Sequence, residues 1–88
     1  MIEKDISSTL EALASETRLK IVKMIRKKRG MYCQEILKAT DLSQPAIAHH
    51  LHKLVRAKVL SEKREKNQVF YTVRRDTIRK VFRKVMED

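Results

Sequence analysis

The sequence contains only one glycine, Gly30, and one proline, Pro45, among its 88 residues. Both residue types interrupt regular structure, so a chain with so few of them favours long helices joined by short turns. Pro45 is itself tolerated in the first turn of a helix, and the hydroxyl of Ser43 can cap the same helix start. Gly30 is predicted to end an earlier helix in the left-handed conformation. The scarcity of both residues therefore predicts a mainly helical fold.

The helix that begins near Ser43 has one apolar side and one polar side. Apolar residues recur at three- and four-residue spacing from Ile47 to Val55, and polar residues fall on the other side. A short helix over residues 34–40 and a turn at residues 41–42 come directly before it. This arrangement is the outline of a helix-turn-helix, in which the second helix enters the major groove of DNA.

The outer side of this helix carries the side chains that we expect to meet DNA. Amide and imidazole groups can bind base edges, and hydroxyl and basic groups can bind phosphates. The residues predicted to face base edges are Gln44, Ala48, His49 and His52. Those predicted to hold phosphates are Ser43, Lys53 and Arg56.

The charge of the chain indicates the same kind of partner. It carries 21 Lys and Arg residues against 11 Asp and Glu residues, a formal net charge of +10. Such an excess in a short chain favours a polyanion over a neutral ligand, and double-stranded DNA is the first candidate. The length leaves room for one domain, residues 1–88, which would bury roughly 60 to 65% of its unfolded surface. Because so small a core is marginal, we expect the chain to form a homodimer.

Several other classes of protein fit the sequence poorly. No apolar run approaches the roughly 20 residues of a membrane span, and the first residues are too polar for a signal peptide, so a cytoplasmic protein is expected. The single cysteine, Cys33, has no partner for an internal disulfide, which agrees with a reducing compartment. We find no glycine-rich phosphate loop, no activated serine and no catalytic carboxylate pair. The sequence therefore predicts neither an enzyme nor a cofactor.

The pattern changes to that of strands after Lys58. Residues 59–64 and 68–73 are enriched in β-branched and aromatic residues, and residues 65–67 lie between them. Asn67 tolerates the positive φ that such turns need. The pattern predicts a two-stranded hairpin, or wing, beside the recognition helix. Its residues predicted to contact phosphates or the neighbouring groove are Lys63, Arg64, Lys66 and Asn67.

The two ends of the chain are predicted to be amphipathic helices. The first ends near Ala14, and a second helix runs from about Ser15 to Arg29. The last begins at about Arg75, and basic residues surround its apolar face. The apolar stripe of the first helix is Ile2, Ile6, Leu10 and Leu13, and that of the last is Ile78, Val81, Phe82, Val85 and Met86. Exposed stripes of this kind usually contact a partner.

Three blocks of sequence resemble, in order, the ArsR/SmtB family of dimeric winged-helix repressors. They are LASETRLKIV at residues 13–22, LSQPAIAHHL at residues 42–51 and VFYTV at residues 69–73. The resemblance covers nearly the whole chain and implies a winged helix-turn-helix of order α-α-α-α-β-β-α. It also implies a dimer built by the first and last helices and an operator that is an inverted repeat. The implied interface residues are Ile6, Leu10, Leu13, Ile78, Val81, Phe82 and Val85.

The sequence departs from this family at the positions of its metal ligands. Where some members have a pair of cysteines on the third helix, this chain has Tyr32, Cys33 and Gln34. Other members use Asp and His on the last helix, but residues 74–88 contain no histidine. The sequence therefore predicts a member of the family without a metal site. Apolar residues stand at three places where the family often has Ser or Thr, so base contacts there would be apolar: Pro45, Ala46 and Ala48.

Other interpretations remain open at this point. Charge alone would suit an architectural protein that binds DNA without sequence preference. A basic module that binds an acidic protein is a third class. Cys33 is most simply a small half-buried hydrophobic residue, and the alternative is a thiol that senses oxidation. The inducing signal, whether a small molecule or a protein, is not visible in the sequence.

Overall fold

The computed structural model of the chain describes residues 3–87. Within them, five helices and a small antiparallel sheet form the mainly helical winged fold that the sequence predicts. The helices are α1 (Glu3–Leu13), α2 (Glu16–Lys28), α3 (Cys33–Lys38), α4 (Gln44–Arg56) and α5 (Arg75–Met86). The strands are β1 (Met31–Tyr32), β2 (Leu60–Glu65) and β3 (Gln68–Val73). Ile2, which was predicted to belong to the first apolar stripe, lies outside the described residues.

The sheet has three strands, one more than the predicted hairpin. Its order is β1-β3-β2, and both pairings are antiparallel. The additional strand pairs Met31 with Tyr71 and Tyr32 with Phe70. Two residues are too few to show a strand periodicity, so local sequence gives no signal for β1.

Two predicted backbone details differ from the structure by one residue. The left-handed residue after α2 is Arg29, with φ 62°, and Gly30 follows with φ 126°. The N–H of Arg29 donates to Arg26 O and that of Gly30 to Ile25 O, at 3.2 and 3.0 Å. These two bonds form a Schellman motif, which satisfies carbonyls that the helix end would otherwise leave free. At the wing, Lys66 rather than Asn67 has the positive φ, 57°.

Glycine is required at position 30 because an aromatic ring covers it. A Cβ atom placed there would overlap the ring of Phe70, which belongs to β3. That ring also packs on Tyr32 with 4.9 Å between ring centroids. The ring of Phe70 thus packs directly on the backbone that follows α2, and the end of this helix lies close to β3.

One apolar core joins the helices to the sheet. It collects residues from α1, α2, α3, α4 and both longer strands, and burial of this apolar area is the main force that holds them together. Thr9 of α1 donates its hydroxyl to Ala57 O at the end of α4, at 3.1 Å. The buried apolar residues are Ala12, Ile21, Val22, Ile25, Met31, Ile36, Ile47, Leu51, Leu54, Val59, Leu60, Tyr71 and Val81.

Candidate nucleic-acid interface

The start of α4 is fixed by its own first residues. Ser43 is the N-cap, and its Oγ accepts a hydrogen bond from the backbone N–H of Ala46 at 3.2 Å. Pro45 lies in the first turn, where its missing N–H leaves no carbonyl unpaired. The cap and the proline therefore define the residue at which the helix begins, as the sequence predicts.

The orientation of α4 about its axis is fixed by its buried side. Ile47, Leu51 and Leu54 are almost completely buried. Because these three residues occupy one side, the opposite side faces solvent. Of the residues predicted to meet DNA from this helix, Ala46 and Lys53 are half-buried. The others are exposed, namely Ser43, Gln44, Pro45, Ala48, His49, His52 and Arg56.

An acidic residue of α1 lies against this basic surface, and sequence reasoning missed it. Glu11 Oε1 is 3.8 Å from Lys53 Nζ. Glu11 lines a cleft between α1 and α4 together with His49, His52 and Arg56. Lys53 is thus already partnered, and any phosphate that it holds must compete with a carboxylate. The C-terminal half of α4 is less basic than the sequence alone indicates.

His50 faces inward from α4 and contacts α2. Its Nδ1 is 3.5 Å from Nη1 of Arg18. A guanidinium can only donate, so Nδ1 accepts and the neutral ring carries its proton on Nε2. Burial lowers the pKa of His50 from its ordinary value of 6.5, and the charge of Arg18 lowers it further. His50 therefore belongs to the packing of α4 against α2.

The four predicted wing residues are all exposed, but they do not share one face. Lys63 pairs with Phe70 and Arg64 with Val69, so the two basic side chains point to opposite faces of the sheet. Lys66 and Asn67 form the turn at the tip. The tip is therefore the place where positive charge and a hydrogen-bonding amide come closest together.

The wing is also tied to α3. The hydroxyl of Tyr32, the residue that precedes α3, donates to Glu65 Oε1 at 2.9 Å. This hydrogen bond to the Glu65 carboxylate is the main cause that raises the pKa of Tyr32 above 10. The backbone N–H of Tyr32 donates to Glu35 Oε1 at 2.8 Å, which caps α3. One residue thus connects the base of the helix-turn-helix to the wing.

The predicted dimer residues divide into an outer and an inner group. On α5, Phe82 is 57% exposed and Val85 is 54% exposed, and Leu10 on α1 is 38% exposed. Val81 is buried within the protomer, so its side chain is not offered to a second copy. The half-buried residues are Ile6, Leu13 and Ile78. The outer group leaves an apolar strip on the packed pair α1 and α5.

Comparison with known proteins agrees with this geometry. The model of a family described as a helix-turn-helix domain matches residues 13–62. The transcriptional repressor SdpR of Bacillus subtilis is 31% identical over 77% of this chain and 74% of its own. The crystal structure of the transcriptional repressor PagR of Bacillus anthracis superposes with a TM-score of 0.76 at 26% identity, covering 93% of each chain. This chain belongs to the ArsR-type winged helix-turn-helix transcriptional regulators.

A third neighbour of this ArsR-type regulator agrees in fold alone. It is the homodimeric winged helix-turn-helix DNA-binding domain of a possible ArsR-family regulator from Mycobacterium bovis. It superposes with a TM-score of 0.78 at 20% identity, covering 90% of this chain and 73% of the neighbour. Family membership identifies the chain as a transcriptional regulator of the helix-turn-helix type.

The side chains that could hold a metal or react with oxidants are few. Within residues 3–87, His, Cys, Asp and Glu side chains do not gather in threes as a metal site requires. Cys33 is a half-buried free thiol at the first position of α3. No helix in the described part of this regulator is long and apolar enough to cross a membrane. The predicted lack of a metal site stays a prediction, as does either role of Cys33.

Proposed function

We propose that this regulator is a homodimeric repressor that binds a specific double-stranded DNA sequence through α4 and the wing. One observation carries the proposal. The buried side of α4 and the cap at Ser43 fix both the rotation and the start of the helix, so that Gln44, Ala48 and His49 are exposed together. A rigidly oriented helix with exposed amide and imidazole groups can read base edges in the major groove.

The wing supplies the contacts that do not depend on sequence. Lys66 and Asn67 at its tip reach the backbone or the neighbouring groove, and Arg56 holds a phosphate beside α4. The hydrogen bond between Tyr32 and Glu65 helps to hold the wing against the helix-turn-helix. Recognition thus combines base contacts from α4 with positioning contacts from the wing.

A homodimer is supported by the apolar strip on α1 and α5. Phe82 and Val85 are large apolar side chains left more than half exposed, and a second copy can cover them. The fold neighbour from Mycobacterium bovis is homodimeric. Two copies related by a twofold axis would bind an inverted repeat whose half-sites lie about one helical turn, or a multiple of it, apart.

Repression follows from occupancy of a promoter by this dimer. Two relatives, SdpR and PagR, are named transcriptional repressors. We propose the same action here, without a bound metal and without a cofactor. The metal-independent part can be tested by measuring operator affinity with and without a chelator, and equal affinities are expected.

The decisive experiment is selection of bound duplexes from a random DNA pool at about 150 mM salt, where weak non-specific binding is suppressed. Recovery of an inverted repeat is the expected result. Binding without any recovered motif would instead identify a non-specific architectural protein, the second candidate, which the net charge of +10 favours.

A further inference from the structure

A groove lined by arginine side chains lies on the side of the molecule where α2 ends and α5 begins. Arg26 and Arg29 line it from the end of α2, and Arg75 and Arg79 line it from the first turns of α5. Val73, at the end of β3, belongs to both halves of the groove. Two adjoining depressions thus share Arg26, Val73 and Arg75, and we name them together the arginine groove.

The positive charge of the arginine groove is uncompensated. None of its lining residues carries a carboxylate. Among residues 3–87, the ion pairs shorter than 4 Å leave these four arginines without a partner, and Asp76 pairs with the neighbouring Arg74 instead, at 3.8 Å. Like charges held together in this way repel one another, and an anion in the groove would remove that repulsion.

The start of α5 adds to the positive field. Arg74 is the N-cap of this helix, and no side chain caps its first N–H groups. The N-terminal end of a helix carries a partial positive charge, so acidic groups are favoured there and cations are not. Arg75 and Arg79 nevertheless occupy the first and second turns. Asp76 also lies in the first turn and offsets part of this positive charge, but it pairs with Arg74 and does not line the groove.

The groove is separate from the surface proposed to bind DNA. Thr72 and Val73 line it from the last two residues of β3, whereas the wing tip lies beyond the first residue, Gln68. A strand rises about 3.4 Å per residue, which places the tip about 17 Å from the groove. No residue of α4 or of the tip lines it.

We propose that the arginine groove binds a small anion carrying two or more negative charges on phosphate groups. Guanidinium groups form paired hydrogen bonds with phosphate oxygens, and their planar forks fit this geometry better than ammonium groups do. Arg26 from α2 and Arg75 from α5 both line each half of the groove, so a diphosphate bound there would meet both side chains. Binding would then connect α5, which bears the apolar strip, to the end of α2.

The test is isothermal titration calorimetry of the full chain with inorganic pyrophosphate at about 150 mM salt. The groove variant is Arg26→Gln with Arg75→Gln, and the matched control is Lys27→Gln with Lys28→Gln. The control removes the same charge from exposed residues that do not line the groove. Loss of two charged hydrogen bonds should weaken pyrophosphate binding at least about tenfold in the groove variant. The control should stay within about twofold of the wild type.

Thermal melts add a second measurement, because a ligand that binds only the folded state raises the midpoint. Pyrophosphate should raise the midpoint of the wild type and of the control but not that of the groove variant.

Several outcomes would overturn the proposal. Equal weakening of pyrophosphate binding in both variants would assign the binding to net charge, and absence of binding by the wild type would also contradict it. Equally tight binding of succinate would overturn the phosphate assignment. The groove variant could also bind pyrophosphate as tightly as the wild type does while its DNA binding depends less on salt. That result would overturn the proposal and would mean that the arginines contact DNA phosphates instead.

Discussion

Arg18 Nη1 lies 3.5 Å from His50 Nδ1, where α2 meets the recognition helix α4. The same guanidinium donates through Nε to Ala12 O, in the last turn of α1, at 2.7 Å. One side chain therefore joins the helix of the proposed dimer strip to the helix of the proposed DNA surface. The contact with His50 favours a neutral imidazole, because a protonated ring would face the guanidinium as a second cation.

The folded protein should lose stability as the pH falls through the titration of His50. Its pKa lies below 6.5 in the folded state, so the unfolded chain binds more protons below about pH 6.5. The free energy of unfolding therefore decreases from that pH down to the folded-state pKa and then levels off for this group. Urea unfolding of the wild type and of His50→Gln, repeated at a series of pH values between about 8 and 5, measures this dependence.

The variant should show a flatter dependence on pH than the wild type. His52→Gln, which removes an exposed imidazole from the same helix, is the matched control. His50→Gln should reduce the slope of the unfolding free energy against pH more than His52→Gln does. If both variants lost the same slope, burial of His50 beside Arg18 would not govern the pH dependence.

Covering of the apolar strip by a second copy can be tested by placing a charge on it. Phe82→Glu should convert a dimer to a monomer, because a buried carboxylate without a partner is strongly unfavourable. Leu19→Glu is the control, since Leu19 is a 43% exposed apolar residue on α2 and belongs to neither helix of the strip. Sedimentation equilibrium measures the mass of each. A Phe82→Glu protein that remained dimeric and folded would place the interface elsewhere.

The features that could be predicted from sequence are those set by neighbouring residues. Ser43 and Pro45 identify the start of α4 because a cap and a first-turn proline act within one turn. The strand at Tyr32 is different, since it exists only through pairing with Phe70, far along the chain. The helix end also differs by one position, because Arg29 has the left-handed conformation, whereas glycine at position 30 is required by its φ of 126° and by the ring of Phe70.

The candidate site shows the same division between local and distant causes. The exposed face of α4 follows from its periodicity, and the sequence identifies it. The pairing of Glu11 with Lys53 depends on how α1 crosses α4, and no local pattern reports that crossing. Val81 has the spacing of an interface residue, but its side chain is buried within the protomer. Spacing alone does not distinguish it from Phe82 and Val85, which are exposed on the same helix.

Base readout and phosphate contact should respond differently to substitution. Gln44→Ala should change which bases are preferred, with a cost of about 1 to 3 kcal/mol on the preferred sequence. Lys66→Asn removes a wing charge and keeps a residue that tolerates φ 57°. It should weaken all sequences alike and lower the salt slope by about one. Affinities for the selected operator and for single-base variants measure both effects. A uniform loss in both proteins would mean that Gln44 does not read a base.

The hydrogen bond between Tyr32 and Glu65 can be followed by the ionisation of the phenol. In a Tyr71→Phe background, Tyr32 is the remaining tyrosine of the two in the chain. Its pKa should lie above 10 and fall towards 10 in Glu65→Gln, because the carboxylate accepts the phenol hydrogen bond and repels the phenolate. Ultraviolet absorbance of tyrosinate against pH measures it. Glu62→Gln, on the other face of β2, is the control and should leave the titration of Tyr32 unchanged. If Glu65→Gln also left it unchanged, the wing would not be tied to α3 in solution.

Gly30→Ala should destabilise the protein by about 2 to 4 kcal/mol, because φ 126° is strained for alanine and the new Cβ overlaps Phe70. Phe70→Leu removes the ring, so in that background the same change should cost less, and the difference is the overlap itself. Arg29→Gly is the control at the neighbouring left-handed position. It should leave the free energy of unfolding unchanged or raise it by up to about 1 kcal/mol, since glycine adopts φ 62° without strain. Urea unfolding of the wild type and the four variants measures these differences. Equal costs of Gly30→Ala in both backgrounds would leave backbone strain as the whole effect and would contradict the close approach of the ring.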